Sequence, residues 1–229
     1  MDIKNNQNYL DALTSMEKAF STVPRPKTLD SCHCCHDAPE KVVLLNTGLK
    51  HLSGQPLENF IFSVFSTIGD EESFKYFLPR VLELVALGEF GDWCSLGLLG
   101  RKIAESNYQE WPDPLSNSVD SMLKIIWQEG FLKQEISDDT GLSTDLLCMI
   151  GNAVTDIQPY LDDLFKVPSH AAIVWESEIE SARSGKVFDV FWENEVNKQT
   201  VINWVLSKEV EDLVMPVYLE ILNTRYDYG

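Results

Sequence analysis

Positive charge is scarce in this chain of 229 residues. It has 18 lysines and arginines against 36 aspartates and glutamates, so its formal net charge at pH 7 is −18. Such a protein repels the phosphates of nucleic acid and of anionic membrane surfaces, and it attracts basic molecules. We therefore expect no nucleic-acid partner and no membrane partner. The acidity favours a basic protein partner, and its simpler interpretation is a well-solvated surface.

Long apolar runs and targeting signals are also lacking. The apolar stretch at residues 81–87 is interrupted by Glu83 and is far shorter than the roughly 20 residues that cross a bilayer. The first six residues contain no apolar core of a signal peptide. A cytoplasmic protein is the expectation. Hydrophobic residues make up 44% of the chain, which is enough for a sizeable core.

Familiar catalytic signatures are missing. The chain contains no glycine-rich phosphate loop, no H-E-x-x-H and no G-x-S-x-G. Neighbouring acids such as Asp138-Asp139 and Asp162-Asp163 are frequent, but none has the spacing of a calcium loop. Helix capping and solvated helix faces explain them better. No catalytic and no cofactor-binding residue is predicted, and the sequence favours a non-enzymatic protein.

Cysteine is sparse outside one stretch. Three of the five cysteines and two of the four histidines fall at residues 32–36. Thiolate and imidazole are ligands that suit zinc, and Cys32 and Cys35 have the C-x-x-C spacing with which one turn presents two sulfurs to an ion. His36 could add a nitrogen, and His51 is the nearest candidate for a remote ligand. One interpretation of the stretch is therefore a metal site, with zinc as the ion that suits it.

A structural turn is the competing interpretation of this stretch. A strong zinc signature has a second ligand pair, which this chain lacks; the more distant candidates Cys94, Cys148 and His170 are single residues. Reduced cysteines also pack as small apolar side chains. A catalytic thiol would need an electropositive setting, whereas the surroundings are acidic. We favour the structural turn, within a loop at about residues 21–38.

Apolar residues recur at helical spacing almost throughout the chain. Tyr9, Leu13, Met16 and Phe20 mark one face of a first helix, because they lie three or four residues apart. Strand-like alternation is not convincing anywhere. Further helices are predicted around residues 40–46, 57–68, 74–85, 93–104, 119–126, 146–157, 160–165, 168–182 and 205–221, with residues 188–194 as a helix or a short strand.

These helices predict a single all-α domain over residues 1–229. Short connections favour antiparallel pairs, and hence an irregular stack of antiparallel helical hairpins similar to an α-solenoid. Pro79 and Pro216 fall inside helical patterns, so we expect a kink or two abutting helices at Pro79 and a kink at Pro216. Gly97 and Gly100 should let a neighbouring helix approach closely.

Arg80 and Glu83 lie in an otherwise apolar helical segment. They are three residues apart and so share one side of the helix. A partly buried arginine needs an acidic partner, which Asp70 or Glu83 could supply. Asp70 is also a candidate N-cap of this helix. We favour a structural ion pair; the functional alternative is an arginine that binds an anion in a groove.

The order of several motifs resembles a group of uncharacterised bacterial proteins of similar length. The shared pattern starts with the Cys/His cluster and continues with a Thr-x-Gly-Asp step at residues 67–70 and the Phe-Leu-Pro-Arg-x-Leu-Glu-Leu segment at residues 77–84. Trp111-Pro112, Trp127 and residues 157–161 look similar too. The resemblance covers most of the chain and implies a shared helical fold without a known activity.

Two functional hypotheses follow. The first is a non-enzymatic acidic helical protein that binds a basic partner, with a bacterial immunity or inhibitor protein as a concrete case. The second is a metal-binding protein or a metal-dependent enzyme that uses Cys32, Cys35 and His36. The sequence contains no feature that names the partner or the oligomeric state.

Overall fold

Every regular element of the described chain is helical. The computed structural model describes residues 3–31, 39–91, 93–133, 140–187 and 190–226. Within these ranges there is no strand, and an isolated antiparallel bridge between Ser31 and Ile68 is the one β-type pairing. The predicted all-α fold class is confirmed. The α-helices of these ranges are α1 Gln7–Phe20, α2 Pro39–Asn46, α3 Gly54–Ser63, α4 Glu71–Ala86, α5 Trp93–Glu105, α6 Asp113–Ile125, α7 Thr140–Ala153, α8 Gln158–Leu164, α9 Pro168–Arg183, α10 Glu195–Val205 and α11 Lys208–Tyr226.

The helices stack on one another with antiparallel contacts. α3, α5, α7, α9 and α11 contact each other in that order, while α1 packs against α4 and α6. Shorter turns of 3₁₀ helix lie at Ile3–Asn5, Leu49–His51 and Tyr108–Glu110, and a π-helical turn at Ile126–Phe131 follows α6. None of the helices in the described ranges is both long and apolar enough to cross a membrane. The buried apolar side chains form one continuous core, as expected of a single domain.

Gly100 lets α5 and α7 approach closely. A Cβ atom added at Gly100 would lie 2.2 Å from the carbonyl oxygen of Met149 and 2.7 Å from its Cα. Both are backbone atoms that cannot rotate away, so a larger residue would push the two helices apart. The close approach predicted at this glycine is confirmed.

Pro79 does not divide its helix. α4 runs without interruption over Glu71–Ala86, so the predicted alternative of two abutting helices is wrong. Pro79 removes one backbone hydrogen bond. Fully buried neighbours such as Phe77 and Leu78 pack the helix into the core, and the burial of their apolar area offsets that loss. α11 likewise continues through Pro216.

Residues 190–194 form a turn and an irregular segment before α10, so neither the helix nor the strand predicted there is found; residues 188 and 189 lie outside the described ranges. The physical reason is a buried asparagine in α7. Asn152 Oδ1 accepts hydrogen bonds from the backbone N–H groups of Glu193 and Asn194, and Asn152 Nδ2 donates to the carbonyl of Phe191. These bonds replace those that a helix or a sheet would have supplied.

Candidate functional site

The predicted metal ligands Cys32, Cys35 and His36 lie outside the described residues. His51, the predicted remote ligand, is exposed at the end of a 3₁₀ turn. Among the described side chains, no group of three or more histidine, cysteine, aspartate or glutamate residues is arranged to hold a metal ion. The zinc site therefore stays a prediction, and metal analysis of the purified protein tests it.

Two of the more distant ligand candidates, Cys148 and His170, are parts of the core. Cys148 is fully buried in α7. His170 is buried in α9, where its ring packs edge-on against Phe131 with 5.0 Å between the ring centroids. Their burial and packing give each a structural role of the kind expected for core side chains.

Arg80 is held on the side of α4 by two bonds. Its Nε donates to the carbonyl oxygen of Leu52 at 2.9 Å, and its Nη1 forms an ion pair with Glu83 Oε2 at 2.7 Å. The two side chains are only 14% and 20% exposed, so solvent screens this pair less than a surface pair. The third nitrogen, Nη2, has no partner among the described residues. Arg80 is therefore a fixed guanidinium with one free edge.

Arg80 and Glu83 line a cleft of about 540 Å³ between α1, α4 and the 3₁₀ turn Leu49–His51, which we term the Arg80 cleft. His51 lines the same cleft, and its ring makes no hydrogen bond to a described residue. Most of the remaining surface is apolar. It is contributed by Leu13, Phe20, Val23, Leu49, Tyr76 and Pro79.

The formal charges of the Arg80 cleft are balanced. Besides the Arg80–Glu83 pair, Lys50 forms an ion pair with Glu17 at 2.7 Å, and its hydrogen bond to Glu17 raises the pKa of Lys50. Tyr9 lies on the same helix as Glu17. Burial, followed by the negative charge of Glu83, raises the pKa of Tyr9 to about 12, so its phenol is neutral at physiological pH. The cleft thus has two positive and two negative side chains and an uncommitted histidine.

Asp70, the other predicted partner of Arg80, has a different role. Its carboxylate accepts a hydrogen bond from the backbone N–H of Ser73 at 2.9 Å, and the Ser73 hydroxyl accepts one from the backbone N–H of Asp70. This reciprocal pair is a capping box at the start of α4. The hydrogen bond from the Ser73 backbone also lowers the pKa of Asp70. Glu83, and not Asp70, is the acid that Arg80 binds.

A second cleft of about 540 Å³ contains four aspartates, and we term it the aspartate cleft. It lies among the 3₁₀ turn Tyr108–Glu110, α6, the connection between α7 and α8, and α8 itself. Two tyrosine rings and two lysines complete its polar lining. The charged and aromatic members are Asp120, Asp156, Asp162, Asp163, Lys124, Lys166, Tyr108 and Tyr160.

Asp163 is the aspartate of this cleft that has a cationic partner within the described chain. Lys166 forms an ion pair with one carboxylate oxygen, and Gln128 donates to the other at 2.8 Å. Burial by itself would raise the pKa of Asp163, but the hydrogen bonds from Lys166 and Gln128 outweigh it, and the pKa is lowered. The Asp163 carboxylate is therefore ionised, and Lys166 compensates its charge.

Within the described part of the chain, the other three carboxylates accept hydrogen bonds from neutral donors only. The Tyr108 hydroxyl donates to Asp120 at 2.7 Å. Gln158 donates through its backbone N–H to Asp156 at 2.9 Å and through its side chain to Asp162 at 2.8 Å. No described lysine or arginine forms an ion pair with these three aspartates. Lys166 is close enough for the negative charge of Asp162 to raise its pKa, but its ion pair is with Asp163.

Tyr160 lies beside these carboxylates. Burial raises its pKa, and the negative charges of Asp120 and Asp163 raise it further, so the phenol stays protonated. Its hydroxyl makes no hydrogen bond to a described residue. Trp127 fixes the ring by an edge-on contact with 6.0 Å between centroids. Carboxylates without an ion pair, next to an aromatic ring, can receive a cation.

The sequence predicted the Arg80–Glu83 neighbourhood and missed the aspartate cleft. Arg80 and Glu83 share one helix, whereas the members of the aspartate cleft come from several elements. Asp162-Asp163 was visible as one acid pair among many, and no local spacing connects it with Asp120. The one usable signal was Tyr160, which stands two residues before the acid pair in an otherwise helical pattern.

The functional inference rests on the two clefts themselves. The motif resemblance to bacterial proteins with an N-terminal Cys/His cluster stays an expectation. The chain matches no protein-family model, no curated protein and no solved structure.

Proposed function

We propose that the protein is a non-enzymatic binding protein for a basic partner protein, and that the aspartate cleft receives a lysine or arginine side chain of that partner. The observation that carries the proposal is the set of three carboxylates, Asp120, Asp156 and Asp162, that line one concave site without an ion pair to a described residue. A bacterial inhibitor or immunity protein is one biological setting for such a site.

The chemistry of the cleft suits a cationic side chain. Its formal charge is −2, because four aspartates outnumber two lysines. The Tyr160 ring offers a face for a cation–π contact, and its free hydroxyl can accept a hydrogen bond from an ammonium or guanidinium group. Such a cleft would bind the cation by direct contacts with carboxylates and an aromatic ring, in addition to the long-range attraction of the acidic surface.

The net charge of −18 would add long-range attraction. Charge of one sign raises the association rate for an oppositely charged partner, and salt weakens this steering. Long-range attraction alone, however, would act from any acidic part of the surface. A test of the proposal therefore has to separate the cleft from the overall charge.

Two double variants with equal charge make this separation. Asp120→Asn combined with Asp162→Asn removes two negative charges from the cleft and retains a side-chain oxygen that can accept the bonds from Tyr108 and Gln158. Glu180→Gln combined with Glu209→Gln removes two negative charges from exposed positions on α9 and α11. Binding of a fluorescein-labelled lysine–alanine peptide would be measured by anisotropy at low salt.

We expect the cleft variant to weaken binding by about five- to tenfold, since each partly exposed charge contact contributes up to about 1 kcal/mol. The control variant should change the affinity by less than about twofold. Equal effects of both variants would mean that the acidity acts only as diffuse charge, and would refute the role of the cleft. A glutamate–alanine peptide should not bind.

A further inference from the structure

The Arg80 cleft contains a hydrogen-bond donor that is fixed before any ligand arrives. Leu52 and Glu83 hold two nitrogens of the Arg80 guanidinium, and Nη2 is left without a described partner. The side chain is 14% exposed, and it lines the cleft. A planar donor that is already immobilised loses little conformational entropy on binding, so it is suited to donating a hydrogen bond to a carboxylate oxygen.

A second polar group is available in the same cleft. The imidazole of His51 makes no hydrogen bond to a described residue, and either of its nitrogens can donate, depending on the tautomer. Together, Arg80 Nη2 and His51 can serve one anionic head group from two elements, α4 and the 3₁₀ turn Leu49–His51.

The rest of the cleft suits an apolar body. Side chains of Leu13, Phe20 and Val23 come from α1 and the segment after it, and Pro79 and Tyr76 face them from α4. The volume of about 540 Å³ lies within the usual range for small-molecule sites, which are mainly apolar with a few convergent polar groups. Such a site favours an amphipathic ligand over a fully polar one.

The charge of the cleft restricts the head group. Arg80 and Lys50 are balanced by Glu83 and Glu17, so no excess positive charge is present to hold a dianion. A phosphate would also lie near the two glutamates, and like charges repel. A monoanion that needs one or two hydrogen bonds is tolerated. We infer that the Arg80 cleft binds a small apolar monocarboxylate, whose carboxylate is held by Arg80 and His51 and whose body lies against the apolar wall.

Decanoate is a suitable probe, and isothermal titration calorimetry on the full chain is a suitable measurement. We expect saturable binding with a Kd below about 1 mM. Decylammonium, added as a competitor of decanoate, tests the sign of the head group, because a direct titration would also include its binding to the aspartate cleft. Acetate tests the need for the apolar body. Both should bind to the Arg80 cleft at least about tenfold more weakly than decanoate, because each lacks one of the two complementary parts.

Arg80→Gln should weaken decanoate binding by about tenfold or more, since hydrogen bonds to charged groups are the stronger ones. Arg101→Gln is the matched control, because Arg101 also pairs with a glutamate, Glu193, but lies outside the cleft. It should leave the affinity unchanged within about twofold.

Ser21→Trp provides an independent variant that leaves Arg80 in place. Ser21 is exposed at the end of α1 and lines the cleft, so a tryptophan there can fill the space without disturbing the core. It should abolish decanoate binding while thermal unfolding stays close to that of the wild type. Displacement of decanoate by an equal concentration of decylammonium, an unchanged affinity in Ser21→Trp, or no saturation by decanoate would each overturn the inference.

Discussion

The Arg80 cleft and the aspartate cleft have the same volume, about 540 Å³, but the charges of the first are balanced and those of the second are net negative. In the Arg80 cleft each lysine, arginine and glutamate has an oppositely charged partner. In the aspartate cleft three of the four carboxylates have none among the described residues. The excess acidity of the chain is therefore unevenly distributed, and the two concave sites would select ligands of opposite charge.

The two clefts also differ in what holds their walls. The Arg80 cleft lies against long helices that are packed into the apolar core. The aspartate cleft depends on the short connection at residues 154–157, which carries Asp156. Asn197 in α10 braces that connection: its Oδ1 accepts from the Ile157 N–H at 3.2 Å, and its Nδ2 donates to the carbonyls of Val154 and Gly151. A polar network, and not apolar packing alone, therefore positions the segment that carries Asp156.

Asn197→Leu should cause the largest loss of stability, because it removes the bonds that hold one wall of the aspartate cleft. It leaves buried backbone groups of the connection without partners, and we expect a loss of about 3–5 kcal/mol in the free energy of unfolding. Gln199→Leu, at an exposed position of the same helix, should cost less than about 1 kcal/mol. Denaturant unfolding measures both. A cost for Asn197→Leu no greater than for Gln199→Leu would show that the network does not hold the cleft.

Arg80→Met tests the contribution of the Arg80–Glu83 ion pair in the Arg80 cleft. It leaves Glu83 without its partner at a position that is 20% exposed, and it removes the donor to the Leu52 carbonyl. We expect a cost of about 2–4 kcal/mol. Arg101→Met breaks a pair whose side chains are 35% and 59% exposed, so its cost should stay below about 1 kcal/mol.

The combination of Arg80→Met with Glu83→Leu separates the two contributions. Removing both charges should recover part of the stability that Arg80→Met loses, since the remaining deficit is the unmet Leu52 carbonyl. If the double variant is as unstable as the single one, the Arg80–Glu83 pair contributes little, and the difference between the two clefts would have to come from packing.

Salt should affect the two clefts differently. Binding of the lysine–alanine peptide depends on uncompensated charge, so raising the salt from about 50 mM to about 300 mM should weaken it by about tenfold or more. Decanoate binding combines apolar burial with partly buried hydrogen bonds, and it should change by less than about threefold. Parallel titrations measure both dependences. Equal salt dependence would remove the electrostatic distinction between the clefts.

The parts of this molecule that local spacing determines were predictable from the sequence. The face of α1 that carries Tyr9, Met16 and Phe20 is buried as expected, because a period near 3.6 residues follows from helix geometry alone. The neighbourhood of Arg80 and Glu83 follows from their separation of three residues on one helix. In each case the relevant partners lie within one or two turns of each other.

The aspartate cleft was not predictable for the same physical reason. Tyr108 meets Asp120 across the turn between two helices, and Asp156 and Asp162 come from the chain beyond α7. Their meeting depends on how the helices stack, which is decided by core packing and by contacts such as Gly100 against Met149. Asn152 and Asn197 were missed likewise, since nothing in the neighbouring sequence marks a buried asparagine as a brace for a distant segment.

The smallest expected effect concerns acid stability at Asp163, the compensated member of the aspartate cleft. The folded pKa of Asp163 is lowered, because the bonds from Lys166 and Gln128 outweigh the opposing effect of burial. A carboxylate with a lowered folded pKa stabilises the protein fully above its unfolded pKa of about 3.9, and this contribution is lost as the pH falls through the folded value. The free energy of unfolding of the wild type should therefore fall more steeply between about pH 5 and about pH 2 than that of Asp163→Asn.

Lys166→Met tests the same compensation by changing the cationic partner of Asp163. Without the ammonium group the folded pKa of Asp163 should rise, so less of its stabilisation remains to be lost at low pH. Glu129 also has a lowered pKa, since the hydrogen bonds from Lys133 and Asn8 outweigh its burial, and it contributes to the acid sensitivity of every variant. The informative quantity is therefore the difference between each variant and the wild type across the pH range. Parallel curves for the wild type and Asp163→Asn would mean that Lys166 does not compensate Asp163 in solution, and the aspartate cleft would then carry a fourth uncompensated charge.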